Sequence, residues 1–203
     1  MAACVLLYWP NVVDYFRMFL VFAAWCFRDA PAVFILLYLA FVLLDDVDGW
    51  LARRLGQTSR FGAWLDVVVD NVGRGMLWSL LFEWGWLVSS LEWCVFVCNH
   101  SRGAEEWKNS FNRSPRLIQA IMADGFNSPL GVWVVGGLHY LPLCLYGHQT
   151  GAWTRWMGLS TWTQAVGILV LAAGRVLALC AEIWCVWTHM DQLIRNQPME
   201  KQS

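Results

Sequence analysis

Six apolar runs take up most of this chain, at approximately Pro10–Phe27, Ala32 to beyond Leu44, Phe61–Phe82, Trp84–Cys98, Ser128–Tyr146 and Trp162–Trp187. Crossing about 30 Å of hydrocarbon takes roughly 20 helical residues, so this pattern predicts an all-α, polytopic membrane protein with six transmembrane helices. Composition agrees: 58% of the 203 residues are apolar, 14% are charged and the net charge is −1. That is too little charge to clothe a soluble domain of this size. The same figures exclude a disordered chain and an electrostatically driven nucleic-acid binder. The cysteines (Cys4, Cys26, Cys94, Cys98, Cys144, Cys180, Cys185) form no CxxC pair and have no His at zinc-ligand spacing, so they read as small buried hydrophobes.

Six spans put both termini on one side of the membrane. Arg53, Arg54 and Arg60 fall between the second and third runs, Arg102, Lys108, Arg113 and Arg116 between the fourth and fifth, and Arg195 and Lys201 after the sixth. The opposite loops hold Arg28 and Arg155 alone. This asymmetry predicts cytosolic termini and cytosolic basic loops. Tyr8, Trp9, Trp84, Trp86, Tyr140, Tyr146, Trp153, Trp156 and Trp187 sit near run ends, where amphipathic rings suit the headgroup layer. The first run has neither a basic lead nor a small-residue cleavage site, so it is expected to remain as a span. No repeat or second domain is evident, and residues 1–203 read as a single membrane domain.

A charge inside a bilayer costs upward of about 2.5 kcal/mol, which makes every intramembrane carboxylate a functional suspect. The densest group is Asp45, Asp48, Asp66 and Asp70. If the chain reverses around Gly56–Ser59, these four acids meet at two matched depths, Asp48 with Asp66 and Asp45 with Asp70. Asp45, Asp48 and Ala52 share one helix face; Gly62, Asp66 and Asp70 share another. Carboxylates that close repel one another unless a cation sits among them, and an all-oxygen donor set favours Mg²⁺ or Mn²⁺. Gly49, Ala52 and Gly62 leave the backbone open to a ligand, and Arg53, Thr58, Ser59 and Arg60 offer donors for phosphate oxygens. Together these features describe metal-assisted phosphoryl transfer. Asp46 lies about 100° off the face of Asp45 and reads as a solvated acid at the membrane edge.

The spacing Asp45-x2-Asp48-Gly49-x2-Ala52-Arg53-x8-Gly62-x3-Asp66-x3-Asp70 resembles, at all eight fixed positions, the signature of the CDP-alcohol phosphatidyltransferases. The resemblance implies an integral-membrane enzyme of phospholipid biosynthesis, usually a homodimer. Such an enzyme moves a phosphatidyl group from CDP-diacylglycerol to a small alcohol and releases CMP. It implies that Asp45, Asp48 and Asp66 bind a Mg²⁺ or Mn²⁺ pair with help from Asp70, and that Asp70 is the general base. Gly49, Ala52, Arg53 and Gly62 fall where the family accommodates the cytidine nucleotide and its diphosphate. By analogy the protein belongs in the endoplasmic reticulum with its active site facing the cytosol.

Within the family the likeness is strongest to eukaryotic members that use inositol. It is carried by Pro10-Asn11, Tyr15 and Arg17 and by Gln57-x2-Arg60-Phe61-Gly62-Ala63-x-Leu65-Asp66. Inositol is therefore the leading acceptor, ahead of glycerol phosphate. Asn11 and Arg17 then read as nucleotide contacts, while Arg17 and Asp14, three residues apart, read equally well as an ion pair buried between helices. Asn71 stands where those members carry a basic residue, and Asp14 where they carry a small or hydroxyl one. Arg74, one turn beyond Asp70, is the candidate replacement for the missing basic group, with Arg113 and Arg116 as weaker acceptor candidates. Arg175 and Glu182 share a face of the last run and are expected to pair. His100, His139, His148 and His189 read as interfacial polar residues. The alternative function is a catalytically silent relative that binds CDP-lipid or scaffolds a partner.

Overall fold

In this computed structural model, which describes residues 2–101 and 114–195, proline, glycine or a capping side chain marks several of the helix ends. α1 (Ala2–Leu6) leads into α2 (Trp9–Cys26), which carries Pro10 in its first turn, where a missing N–H leaves no bond unmade. α3 (Pro31–Leu55) starts on proline and stops at Gly56, whose φ of 63° is the left-handed cap that glycine adopts without strain. α4 (Arg60–Leu81) is capped by Ser59, whose Oγ accepts from the Gly62 N–H at 2.9 Å. The break between α3 and α4 thus falls on the predicted Gly56–Ser59 turn. α5 (Gly85–Ser101), α6 (Arg116–Met122), a 3-10 turn (Ala123–Phe126), α7 (Pro129–Gln149), α8 (Ala152–Met157) and α9 (Thr161–Arg195) follow. No strand occurs among the described residues, so the all-α expectation holds.

Burial is inverted relative to a water-soluble helix protein. On α2 the buried positions include Asn11, Asp14 and Arg17, whereas Phe16, Phe19 and Phe22 are 52%, 63% and 60% exposed. Polar groups inside and large apolar side chains outside suit hydrocarbon as the surrounding solvent. By length and composition α7 and α9 qualify to cross a membrane. α3 and α4 carry the aspartates and arginines described below, which dilute their apolar character. Cys4, Cys26, Cys94 and Cys180 are exposed, which corrects the expectation that all seven cysteines are buried; the outer face is apolar enough to take them.

Two compact units divide the chain: Met1–Ser89 with His139–Leu169, and Ser90–Leu138 with Val170–Ser203. In the first, α2 packs against both α3 and α4. The ring of Phe41 on α3 lies against Gly73 of α4, where an added Cβ would stand 2.4 Å from it. The Tyr146 hydroxyl donates to the Arg28 carbonyl at 2.9 Å, tying α7 to the turn after α2. In the second unit, a Cβ on Gly137 would approach the Arg175 nitrogen at 2.6 Å and one on Gly174 the Trp133 carbonyl at 2.7 Å. Backbones meet at this range through small residues. The expected Arg175–Glu182 pair forms at 2.9 Å, and Glu92 joins it at 3.5 Å.

Candidate active site

The aspartate-bearing faces of α3 and α4 meet around a side chain from α2. Arg17, fully buried, sends its guanidinium among five carboxylates. Nη1 donates to Asp14 Oδ1 at 2.9 Å, Asp48 Oδ2 at 2.7 Å and Asp66 Oδ1 at 2.9 Å. Nη2 lies 2.6 Å from Asp45 Oδ1 and 2.6 Å from Asp70 Oδ1. The two terminal nitrogens therefore mark the two depths expected from the sequence, Asp48 with Asp66 at one and Asp45 with Asp70 at the other. Nε points to the Phe41 carbonyl at 3.4 Å, and the guanidinium carbon stands 5.2 Å from the Phe41 ring centre. Arg17 makes both the expected pair with Asp14 and four further contacts that its position in the sequence does not announce.

The carboxylates also form two oxygen clusters, Asp14–Asp48–Asp66 and Asp45–Asp66–Asp70, each with ligand atoms within 4.8 Å of one another. Oxygen bonds to Mg²⁺ run about 2.0–2.1 Å and to Ca²⁺ about 2.3–2.6 Å, so clusters of this width suit a hard divalent ion. A buried guanidinium drawn in among them is itself a sign that the cage demands positive charge.

Asp70 is held from a second side. Arg74 Nη1 donates to its Oδ2 at 2.9 Å, and Arg74 Nη2 donates to Asn71 Oδ1 at 2.7 Å. His139 Nε2 sits 3.3 Å from Arg74 Nη1 and 3.6 Å from Asp70 Oδ2. This corrects the reading of His139 as an interfacial residue: it is buried, and α7 brings it to the carboxylate. His148 is exposed, with Nδ1 2.7 Å from Gln164 Oε1.

The remaining sequence candidates fall in three places. Asn11 is buried, donates to the Val5 carbonyl at 2.6 Å and turns its Oδ1 toward Gly62, where a Cβ would stand 2.7 Å from it. Gly62 is thus needed for α2 and α4 to approach. Arg53 is exposed, with its guanidinium 3.4 Å from where a Gly49 Cβ would lie, and Ala52 is half-buried beside it. Ser59 spends its hydroxyl on the α4 cap. Asp46 is exposed, as expected of a solvated acid. Arg116 is exposed in the first turn of α6, and Arg113 lies outside the described residues.

A family model for CDP-alcohol phosphatidyltransferase matches residues 7–190, and the chain belongs to that family. Over 81 residues it is 46% identical to CDP-diacylglycerol–inositol 3-phosphatidyltransferase 1 of Arabidopsis thaliana, covering 39% of this chain and 35% of the relative. The CDP-diacylglycerol–inositol 3-phosphatidyltransferase of Saccharomyces cerevisiae is 38% identical over 95 residues, 45% of this chain and 40% of its own. Phosphatidylinositol phosphate synthase of Streptomyces avermitilis is 48% identical over 159 residues, 70% of this chain and 59% of its own. The matched segments thus span from 35% to 59% of these relatives' lengths. No solved structure matches.

Proposed function

We propose that this protein moves a phosphatidyl group from CDP-diacylglycerol to a small alcohol, inositol foremost, and releases CMP. The observation that carries the reading is the meeting of Asp45, Asp48, Asp66 and Asp70 at two levels around the buried Arg17 guanidinium, in a chain of this family. The names of its inositol-using relatives support the acceptor. Asp45, Asp48, Asp66 and Asp70 would hold Mg²⁺ or Mn²⁺, which when bound supplies positive charge against the pyrophosphate oxygens of the CDP-lipid. Asp70 takes the proton from the acceptor hydroxyl. The acceptor oxygen forms its bond to the diacylglycerol-bearing phosphorus as the phosphorus–oxygen bond to CMP breaks. Arg74 fixes the Asp70 carboxylate for this task, and Asn71 fixes Arg74. Asn11, Gly49, Ala52, Arg53 and Gly62 border the nucleotide, and Arg113 and Arg116 remain acceptor candidates.

The rest of the reading is a single membrane domain of six spans with cytosolic termini. It functions as a homodimer in the endoplasmic reticulum, with the site open to the cytosol. The inverted burial of α2 and the basic loops support it. One observation favours a silent CDP-lipid binder instead: Arg17 already neutralises part of the cage. Purified protein in detergent, given CDP-diacylglycerol, Mn²⁺ or Mg²⁺ and a panel of inositol, inositol phosphate and glycerol phosphate, separates the two. CMP release with inositol is the expected result; thermal stabilisation by CDP-lipid with no CMP from any acceptor would establish the silent binder.

Arg74→Ala has a narrower expected effect. Loss of a charged hydrogen bond worth about 1.5–3 kcal/mol lowers kcat/KM for the acceptor by about 10–100-fold while CDP-lipid binding is kept. Unchanged acceptor kinetics would remove Arg74 from the site.

A further inference from the structure

We infer that Asp14 is a metal ligand, a fifth carboxylate outside the eight-position signature, which with Asp48 and Asp66 holds one of two divalent ions. The inference rests on the metal-dependent reading of the site given above. Its first support is proton counting. A guanidinium has five N–H groups: one on Nε and two on each terminal nitrogen. Arg17 Nε uses its proton on Phe41, and Nη2 has two for Asp45 and Asp70. Nη1 also has two, yet it faces Asp14, Asp48 and Asp66 at 2.7–2.9 Å. Three carboxylates share two protons there, so the triad that contains Asp14 is the one Arg17 cannot fully satisfy.

The second support is that Arg17 has no electrostatic need of Asp14. Asp45, Asp48, Asp66 and Asp70 already outnumber it, and Arg74 adds one more cation at Asp70 alone. A fifth carboxylate, 2% exposed on a helix whose other face is aromatic, deepens the negative excess. Burying it is tolerable if a divalent ion arrives or if a proton is shared among the acids, and the metal titration below separates the two. The third support is shape: Asp14–Asp48–Asp66, like Asp45–Asp66–Asp70, brings its ligand oxygens within 4.8 Å of one another, and the two clusters share Asp66. Asp66, common to both triads, would contribute to holding both ions.

The test counts ions without substrate. Full-length protein in detergent is stripped with chelator and titrated with Mn²⁺, with bound ions followed by electron paramagnetic resonance. Wild type is expected to bind two Mn²⁺ with a spin-coupled signal. Asp14→Asn is expected to weaken one ion by about 10–100-fold or more and leave a mononuclear spectrum, while Asp46→Asn, at the exposed neighbour, leaves both ions unchanged. Two ions of unchanged affinity and coupling in Asp14→Asn would overturn the inference and leave the phosphotransferase reading intact. No Mn²⁺ bound by wild type would overturn both. Should Asp14→Asn fail to fold, Asp14→Glu keeps the charge but moves it by one methylene. It is expected to weaken the same ion selectively, and equal affinity for both ions would again overturn the inference.

Discussion

Asp70→Asn is expected to abolish CMP release, with a loss of at least about 10²–10⁴-fold, the contribution of a positioned general base. The substitution preserves size and removes both the charge and the ability to accept a proton. In the structure the two oxygens of Asp70 are held separately, Oδ1 by Arg17 at 2.6 Å and Oδ2 by Arg74 at 2.9 Å. An amide keeps one acceptor and turns its NH₂ toward a guanidinium, so one of the two contacts becomes repulsive. The variant should still bind CDP-diacylglycerol, because Asn11, Gly49, Ala52, Arg53 and Gly62 are untouched. Measured together, CMP release and CDP-lipid stabilisation separate a lost base from a lost fold. CMP release within tenfold of wild type would exclude Asp70 as the base.

Arg17→Ala is expected to destabilise the metal-free protein by about 3–5 kcal/mol, the cost of removing one partner of a buried ion pair. Five carboxylates would then face one another with Arg74 as the nearest remaining counter-charge. Mn²⁺ should restore most of the loss, so the stabilisation by metal, read as a shift in melting temperature in detergent, is larger in the variant than in wild type. Arg17→Met, which keeps much of the volume, separates charge from packing and should show the same metal dependence. Equal melting temperatures for wild type and both variants in chelator would mean that the guanidinium does not hold the cage together.

The meeting of the four signature aspartates is legible in the sequence because it depends on local rules. Helical spacing aligns acids three and four apart, and Gly56 and Ser59 end one helix and begin the next. The apolar length of α7 and α9 is legible for the same reason, since hydrophobic length is a property of contiguous residues. Other features depend on packing between distant segments. Arg17 could be read as a partner of Asp14 from their three-residue spacing, but its contacts with Asp45 through Asp70 require α2 to enter between two later helices. His139 is a lone histidine in an apolar run, with nothing nearby in sequence to mark it as buried beside Asp70. Asn71, noted as a departure from a basic residue, gains meaning once Arg74 is seen to donate to it. The exposure of Cys4, Cys26, Cys94 and Cys180 is not legible in sequence, because apolar surroundings mean the inside in water and the outside in lipid.

The span of sequence over which Arg17 finds its partners bears on how the chain is made. An arginine at mid-helix is disfavoured in hydrocarbon by about 2.5–3.5 kcal/mol on insertion scales. Its compensating acids extend from Asp14 to Asp70, so the final one emerges from the ribosome well after α2 does. Arg17 therefore meets all of its counter-charges only when α3 and α4 stand beside α2, so the three helices satisfy their buried charges as a bundle and not singly.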